Sequence, residues 1–138
     1  MRIFLDANII FSAAKSDGAI RRLLVMLRRG GHKLVADGYV IEEARRNLAL
    51  KFPVGLEVLN ALLPTLEIVE THAAVPALSA KLPLPEKDRP VLLASMSARC
   101  QALVTSDESH FGLLFGKRIA GVVIHSPRSL AEEALRGS

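Results

Sequence analysis

The sequence predicts an α/β protein, a three-layer α/β/α sandwich around a mostly parallel five-stranded sheet. Short apolar runs, typical of strands buried on both faces, alternate along the chain with segments whose apolar residues repeat at helical spacing. This alternation favours right-handed βαβ units, with helices packed on both faces of one sheet. The 138 residues suit a single domain spanning 1–138, and we expect the strand order 3-2-1-4-5.

The first half of the chain begins with its clearest strand, an apolar run that stops abruptly at Asp6. The pair Gly30-Gly31 ends the first predicted helix, and Pro53 and Pro64 close the next two. The predicted elements are, in order, a strand at 3–5, a helix at 19–29, a strand at 33–36, helices at 40–50 and 56–63, and a strand at 66–69.

The second half of the chain starts with a proline-rich region that allows only a short helix around 77–81. A longer helix should begin near Asp88 and run to about residue 100, because Pro90 is tolerated in a first helical turn. The remaining predicted elements are strands at 102–105 and 122–124 and a terminal helix with a capping box formed by Ser129 and Glu132.

The composition narrows the class of protein. No apolar run approaches the roughly 20 residues needed to cross a bilayer, and we expect no membrane association. The single cysteine, Cys100, excludes an internal disulfide and fits the reducing cytoplasm, which is the expected location. The net charge of +4 favours a polyanionic partner.

Arginines are concentrated on two predicted helices. Arg21 and Arg22 lie on the first, and Arg45 and Arg46 lie on the second. Each of these residues alone is most simply a part of a solvated helix face. Together they also predict a face that contacts phosphates, and both interpretations stay open at this point.

Four acids are predicted to meet at one edge of the sheet. Asp6 and Asp107 follow the first and fourth strands, which the predicted order makes neighbours where the winding reverses. Asp88 opens the helix that leads into the fourth strand, and Glu43 lies in the first turn of the second helix. Each also has a structural interpretation, since Asp6 could turn the chain, Asp88 could cap a helix and Asp107 could cap a loop.

The choice of Glu43 depends on helical phase. Glu43 shares a helix face with Asn47 at i, i+4, whereas the neighbouring Glu42 faces the arginines of the same helix. Asp37 and Glu108 also lie near the predicted cluster, and we expect both of them to be solvated.

Such a cluster predicts a metal site. Two carboxylates about 4 Å apart repel by roughly 4 kcal/mol at an effective dielectric near 20, so four of them need cations. Carboxylate oxygens suit Mg²⁺ or Mn²⁺, and a pair of such ions can promote phosphodiester cleavage. Histidines and cysteine show no zinc-type spacing, and each histidine is interpreted as structural or superficial: His32, His72, His110 and His125.

The chain resembles the PIN-domain ribonucleases, in particular the short bacterial VapC-like toxins. The resemblance rests on I-F-L-D-A-N at 3–8, E-A-R-R-N-L at 43–48, K-D-R-P-V-L at 87–92 and L-V-T-S-D-E-S-H-F at 103–111. The family often has glycine before its last acid, where this chain has Ser106.

The resemblance implies specific roles for site residues. It makes the acidic quartet both the catalytic residues and the metal ligands, and it makes two polar residues supporting groups that orient the acids. The quartet is Asp6, Glu43, Asp88 and Asp107, and the supporting residues are Asn8 and Thr105.

The resemblance also implies an activity and partners. These are Mg²⁺- or Mn²⁺-dependent cleavage of single-stranded RNA, leaving a 5′-phosphate and a 3′-hydroxyl, a homodimer, and a cognate VapB-like antitoxin. One alternative is a PIN-like module that binds RNA or protein without cutting. Another is a receiver-like signalling domain, which would need a lysine at the end of the last strand, where this chain has His125-Ser126.

Overall fold

A computed structural model describes residues 1–71 and 84–136. Its centre is a six-stranded sheet with the order β3-β2-β1-β4-β6-β5, in which all neighbouring strands are parallel except the last pair. The strands are β1 Arg2–Leu5, β2 Lys33–Asp37, β3 Glu67–Val69, β4 Ala102–Val104, β5 Arg118–Ile119 and β6 Val122–His125.

The predicted strand order is confirmed, with β6 in the place of the fifth predicted strand. The sheet gains one strand that was not predicted, the antiparallel edge strand β5. Two residues are too few to show a periodicity, so the sequence carries no signal for β5. The order 3-2-1-4-6 also differs from the 2-1-3-4-5 order of receiver-like domains, which removes that alternative.

Helices cover both faces of the sheet and complete the three-layer α/β/α sandwich. In the described part of the chain, no helix is long and apolar enough to cross a membrane. The helices are α1 Ala7–Lys15, α2 Ala19–Arg29, α3 Gly38–Lys51, α4 Gly55–Leu62, α5 Arg89–Ser97, α6 Glu108–Phe111 and α7 Pro127–Ala134.

Helix α1 is an element that the sequence prediction missed. It begins directly after Asp6, whose side chain accepts a hydrogen bond from the Ala7 backbone N–H. Its first turns carry Ile9 and Ile10, both fully buried, which look like a continuation of the preceding strand. The cap on the first turn, rather than any apolar periodicity, marks where the strand ends and the helix starts.

The capping box of the terminal helix was predicted at the wrong residues. Ser126 is the N-cap of α7, and Ser129 completes the box from within the first turn. Glu132 instead forms an exposed ion pair with Arg128 at 3.3 Å. The short helix expected around 77–81 lies outside the described residues, as does His72.

The strand register positions the functional edge of the sheet. Leu5 at the end of β1 pairs with Val104 at the end of β4, and the whole of 3–5 is fully buried. The Asp6 N–H donates to the Val104 carbonyl at 3.1 Å, which brings the residues after both strands side by side. The chain segments that carry Asp6 and Asp107 therefore leave the sheet at neighbouring points.

Candidate metal centre

A pocket of about 320 Å³ opens at this edge, and all four predicted acids line it. Asp6 caps α1, and Asp107 caps the one-turn helix α6. Glu43 lies in the second turn of α3, and Asp88 ends a short 3₁₀ turn before α5. Residues far apart in the sequence thus meet in one negatively charged pocket.

The Asp6 carboxylate is the most buried of the four, and both of its oxygens are held. Its Oδ1 accepts the Ala7 N–H at 2.7 Å. Its Oδ2 accepts the Thr105 hydroxyl at 2.8 Å and the Asn8 side-chain amide at 3.3 Å. The side chain is therefore fixed in one orientation before any ligand binds.

The electrostatic environment of Asp6 favours neutralisation. Burial raises the pKa of this carboxyl to about 6, and the charges of Glu43 and Asp88 add to the rise. The hydrogen bonds from Thr105 and Ala7 oppose the rise only in part. A proton or a cation would relieve the uncompensated negative charge of the pocket.

Asn8 and Thr105 connect the two acid-bearing segments, as their predicted supporting role requires. The Thr105 hydroxyl accepts the Asp107 N–H at 3.1 Å and the Asn8 amide at 3.1 Å while it donates to Asp6. The Asn8 carbonyl oxygen accepts the Ser106 N–H at 2.9 Å. Ser106 has a negative φ, so a serine in place of the family's frequent glycine causes no backbone strain there.

Asp107 has a different environment from Asp6. Burial alone would raise its pKa, but hydrogen bonds from the Ser109 hydroxyl and the His110 N–H, with the nearby His110 ring, lower the pKa overall. These two donors contact Oδ1 at 2.8 and 3.1 Å. The other oxygen, Oδ2, lies 2.8 Å from His110 Nδ1.

Asp88 and His110 each contribute a buried atom that makes no hydrogen bond. Asp88 Oδ2 and His110 Nδ1 are 3.1 Å apart, yet both atoms are buried and neither has an aligned hydrogen-bond partner. Asp88 makes no capping bond to α5. Ligand atoms of Asp88, Asp107 and His110 all lie within 4.8 Å of one another, a separation that one divalent cation can bridge. The residues present therefore fit the metal that the sequence predicts.

His110 was not predicted as part of the site. The sequence interpretation made it structural or superficial, whereas in the structure its ring lines the pocket beside Asp88 and Asp107. The available signal was its position three residues after Asp107, which places both side chains on the same side of one helical turn.

Helix α3 contributes a stripe of pocket residues at a spacing of four. Tyr39, Glu43, Asn47 and Lys51 all line the pocket, and Phe11 of α1 lines it as well. Burial, followed by the charges of Glu43 and other acids, raises the pKa of Tyr39, so its phenol stays protonated at neutral pH. Only the Glu43–Asn47 pair of this stripe was predicted.

Three acids that neighbour the predicted cluster in the sequence do not line the pocket. Glu42 pairs with Arg45 at 3.3 Å, away from the pocket, in agreement with the helical phase. Asp37 is 1% exposed and accepts the Val40 N–H as the N-cap of α3, so its prediction as a solvated acid is wrong. Glu108 is exposed, as expected.

The four arginines that were predicted to contact RNA lie on α2 and α3. Arg21 donates to the carbonyls of α1 at 2.7 and 3.4 Å, and Arg45 is engaged by Glu42. Arg22 and Arg46 are exposed. None of the four is among the described residues that line the pocket.

Comparisons with known proteins give the family and the fold of the chain. The PIN domain family matches residues 2–109, which is most of the chain, and the protein belongs to this family. The membership supports a nuclease activity.

The fold is similar to a chain of the VapBC2 complex from Rickettsia felis, solved bound to a DNA fragment from their promoter. The two chains are 16% identical with a TM-score of 0.69, and the match covers 91% of this chain and 98% of that one. No curated protein sequence matches the chain.

Proposed function

We propose that this protein is a divalent-metal-dependent endoribonuclease that cleaves phosphodiesters of single-stranded RNA. The observation that carries the proposal is the meeting of Asp6, Glu43, Asp88 and Asp107 in one pocket. The orphaned oxygen of Asp88 and the raised pKa of Asp6, about 6, both point to a cation as the natural occupant. Membership of the PIN domain family supports the same activity.

The four acids would have different roles in binding Mg²⁺ or Mn²⁺. Asp6, Asp88 and Asp107 would hold the ion directly or through water, and Glu43 would complete a second position or orient the attacking water. Bound there, the ions would activate a water and stabilise the leaving oxygen, giving a 5′-phosphate and a 3′-hydroxyl.

The supporting residues act by fixing the acids. Asn8 and Thr105 hold Asp6 Oδ2, and the same Thr105 hydroxyl receives the Asp107 N–H. This shared contact sets the distance between the two acid-bearing segments. In metal sites such contacts orient the ligands and raise their affinity for the ion.

The stripe on α3 provides a path for the RNA strand. Lys51 at one end of the stripe supplies a cation for a phosphate, and Asn47 supplies an amide near the scissile bond. The rings of Tyr39 and Phe11 in the pocket wall provide surfaces on which unpaired bases can stack. The exposed Arg22 and Arg46, with Arg21 and Arg45, would contact the backbone further out.

The direct test is cleavage of a labelled single-stranded RNA pool with Mn²⁺ or EDTA. We expect cleavage only with Mn²⁺, and a loss of about 100-fold in Glu43→Gln. Glu42→Gln is the matched control, because it removes the same charge one residue away from the pocket. Products should resist kinase labelling until they are dephosphorylated, since their 5′ ends already carry phosphate.

Two results would overturn this proposal. Cleavage that survives EDTA and Glu43→Gln would remove the metal role. RNA binding without cleavage under every metal condition would favour the non-catalytic PIN-like module instead.

We also propose that the protein is the toxin of a VapBC-type pair, neutralised by a VapB-like antitoxin, and that it forms a homodimer. The similarity of its fold to a chain of a VapBC complex supports this role. Expression of the wild type should arrest growth, whereas Asp6→Asn should not. Co-expression of the product of an adjacent small reading frame should relieve the arrest and co-purify with the protein, and light scattering should show a dimer. Unimpaired growth with active enzyme would favour an RNA-processing role.

A further inference from the structure

We infer that His110 is a metal ligand through Nδ1 and that it makes this centre select Mn²⁺ over Mg²⁺. The inference rests on the proposed metal-dependent function and adds a nitrogen donor to a site otherwise built from oxygens. It concerns the side of the pocket formed by Asp88, Asp107 and His110, which we call the histidine side.

The geometry of the histidine side favours a ligand role over an ion pair. His110 Nδ1 lies 2.8 Å from Asp107 Oδ2 and 3.1 Å from Asp88 Oδ2. A ring N–H that served either carboxylate would point at its oxygen, but Nδ1 is aligned with neither and is buried. Three potential ligand atoms that converge in this way, two of them buried without an aligned hydrogen bond, form an arrangement that a cation can fill.

The local fold holds these atoms in place. Asp107 and His110 are joined by the single turn of α6, in which the His110 N–H donates to Asp107 Oδ1 at 3.1 Å. The Ser109 hydroxyl donates to the same oxygen at 2.8 Å. Oδ1 is thus occupied by the turn itself, and Oδ2 remains directed towards His110 and Asp88.

The chemistry of the donors predicts the metal preference. Mg²⁺ binds oxygen ligands and loses its water reluctantly, so an imidazole adds little to its affinity. Imidazole nitrogen is a better donor to first-row transition ions, among which Mn²⁺ also accepts carboxylates readily. By contrast, the side chains that contact Asp6 Oδ2 are the Thr105 hydroxyl and the Asn8 amide.

The test is electron spin echo spectroscopy of Mn²⁺ bound to the untagged full chain, together with titrations of Mn²⁺ and Mg²⁺. The wild type should show ¹⁴N modulation from a directly bound imidazole. His110→Asn should lose this modulation and weaken Mn²⁺ binding by about tenfold or more, with less than about a threefold effect on Mg²⁺.

His32→Asn is the matched control. His32 Nδ1 contacts the N-terminal amine at 3.0 Å, at the opposite edge of the sheet, so this variant should keep both the modulation and the affinities. Circular dichroism checks that each variant is folded. His110→Gln serves as a second variant if His110→Asn does not fold, and the wild-type spectrum is informative without either.

The outcomes separate this inference from the proposed nuclease function. Mn²⁺ that binds without ¹⁴N modulation, or modulation that survives the loss of His110, would overturn the ligand role and leave the nuclease proposal intact. Equal losses of Mn²⁺ and Mg²⁺ affinity would overturn the selectivity. A wild type that binds no Mn²⁺ would overturn both proposals together.

Discussion

The two sides of the pocket hold their acids in opposite ways. Asp6 is 6% exposed, both of its oxygens are hydrogen bonded, and burial raises its pKa to about 6. Asp107 is more exposed; burial opposes the change, but hydrogen bonds from the Ser109 hydroxyl and the His110 backbone N–H, together with the proximity of the His110 ring, lower its pKa overall. On the same side, Asp88 has one buried oxygen that makes no aligned hydrogen bond.

This contrast shows that the fold can fix the orientation of a carboxylate without compensating its charge. The scaffold fixes the direction of Asp6 but leaves its charge uncompensated, whereas it compensates the charge of Asp107 and leaves Asp88 unsatisfied. Near neutral pH and without metal, Asp107 is ionised, whereas Asp6, with a pKa of about 6, takes up a proton more readily than Asp107 does. We therefore expect variants on the two sides to affect activity alike but stability differently.

The largest effect should come from removing a charge on the histidine side. Asp107→Asn should lower the rate of RNA cleavage by about 1000-fold, because the proposed metal site loses a ligand while the shape of the side chain is kept. Single-turnover cleavage with Mn²⁺ measures the loss. The adjacent and exposed Glu108→Gln is the control and should cleave like the wild type. Activity of Asp107→Asn within tenfold of the wild type would contradict the role of Asp107.

The next effect tests the contact that joins the two sides. Thr105→Val removes the hydroxyl shared by Asp6 and the Asp107 N–H and should lower metal affinity by about 10- to 100-fold. It should also cost about 1–3 kcal/mol of unfolding free energy, since buried partners are left unpaired. Calorimetric metal titration and urea unfolding measure the two losses.

Thr105→Ser restores the hydroxyl and should recover most of the metal affinity. If Thr105→Val and Thr105→Ser bind metal equally weakly, the methyl group and not the hydroxyl matters, and the proposed connection between the two sides fails.

Sequence reasoning located the acids because parallel topology constrains where strands end. Asp6 and Asp107 both follow apolar strands, and right-handed crossovers bring the carboxyl ends of such strands to one edge. The helical phase of α3 likewise separated Glu43 from Glu42. The same spacing of four residues, continued one turn towards the N-terminus of α3, also predicts Tyr39 as a pocket residue.

Other features depended on contacts that no pattern encodes. The i, i+3 spacing of Asp107 and His110 is informative only if a helical turn follows Asp107, and the four-residue helix α6 shows no periodicity that would predict such a turn. Because helix α1 is buried on most of its surface, its sequence lacks a clear alternation of apolar and polar faces and could not be told from a buried strand. The burial of Asp37 likewise follows from its cap on α3, which the sequence alone did not distinguish from a solvated acid.

A smaller effect should appear in the stability of the metal-free protein. Asp6 has a folded-state pKa raised from 3.8 to about 6, so its ionisation favours the unfolded chain and stability is lost as pH rises through about 6. In EDTA at pH 8, the unfolding free energy of Asp6→Asn should therefore be about 1–2 kcal/mol higher than that of the wild type. The pKa shift of Asp6 sets an upper limit of about 3 kcal/mol on this difference.

The pH dependence makes this stability test specific. The advantage of Asp6→Asn should shrink as pH falls towards 4, where the wild-type carboxyl is protonated in both states. Added Mn²⁺ at pH 8 should stabilise the wild type and not the variant. Urea unfolding measures all of these free energies. If the stability of Asp6→Asn relative to the wild type were lower at pH 8 than at pH 4, the raised pKa assigned to Asp6 would be contradicted.

The smallest effect concerns Lys51, which lines the pocket at the far end of the α3 stripe from Tyr39. Its proposed contact is with one RNA phosphate, and a single screened contact of this kind contributes modestly. Lys51→Ala should raise KM for single-stranded RNA by about 3- to 10-fold with little change in kcat, and it should make binding less dependent on salt. Lys33→Ala, on the exposed start of β2 at the opposite edge, changes the net charge equally and is the control. Equal effects of the two variants would mean that overall charge, and not the α3 stripe, attracts the RNA. A fall in kcat without a change in KM would instead place Lys51 with the acids in the chemical step.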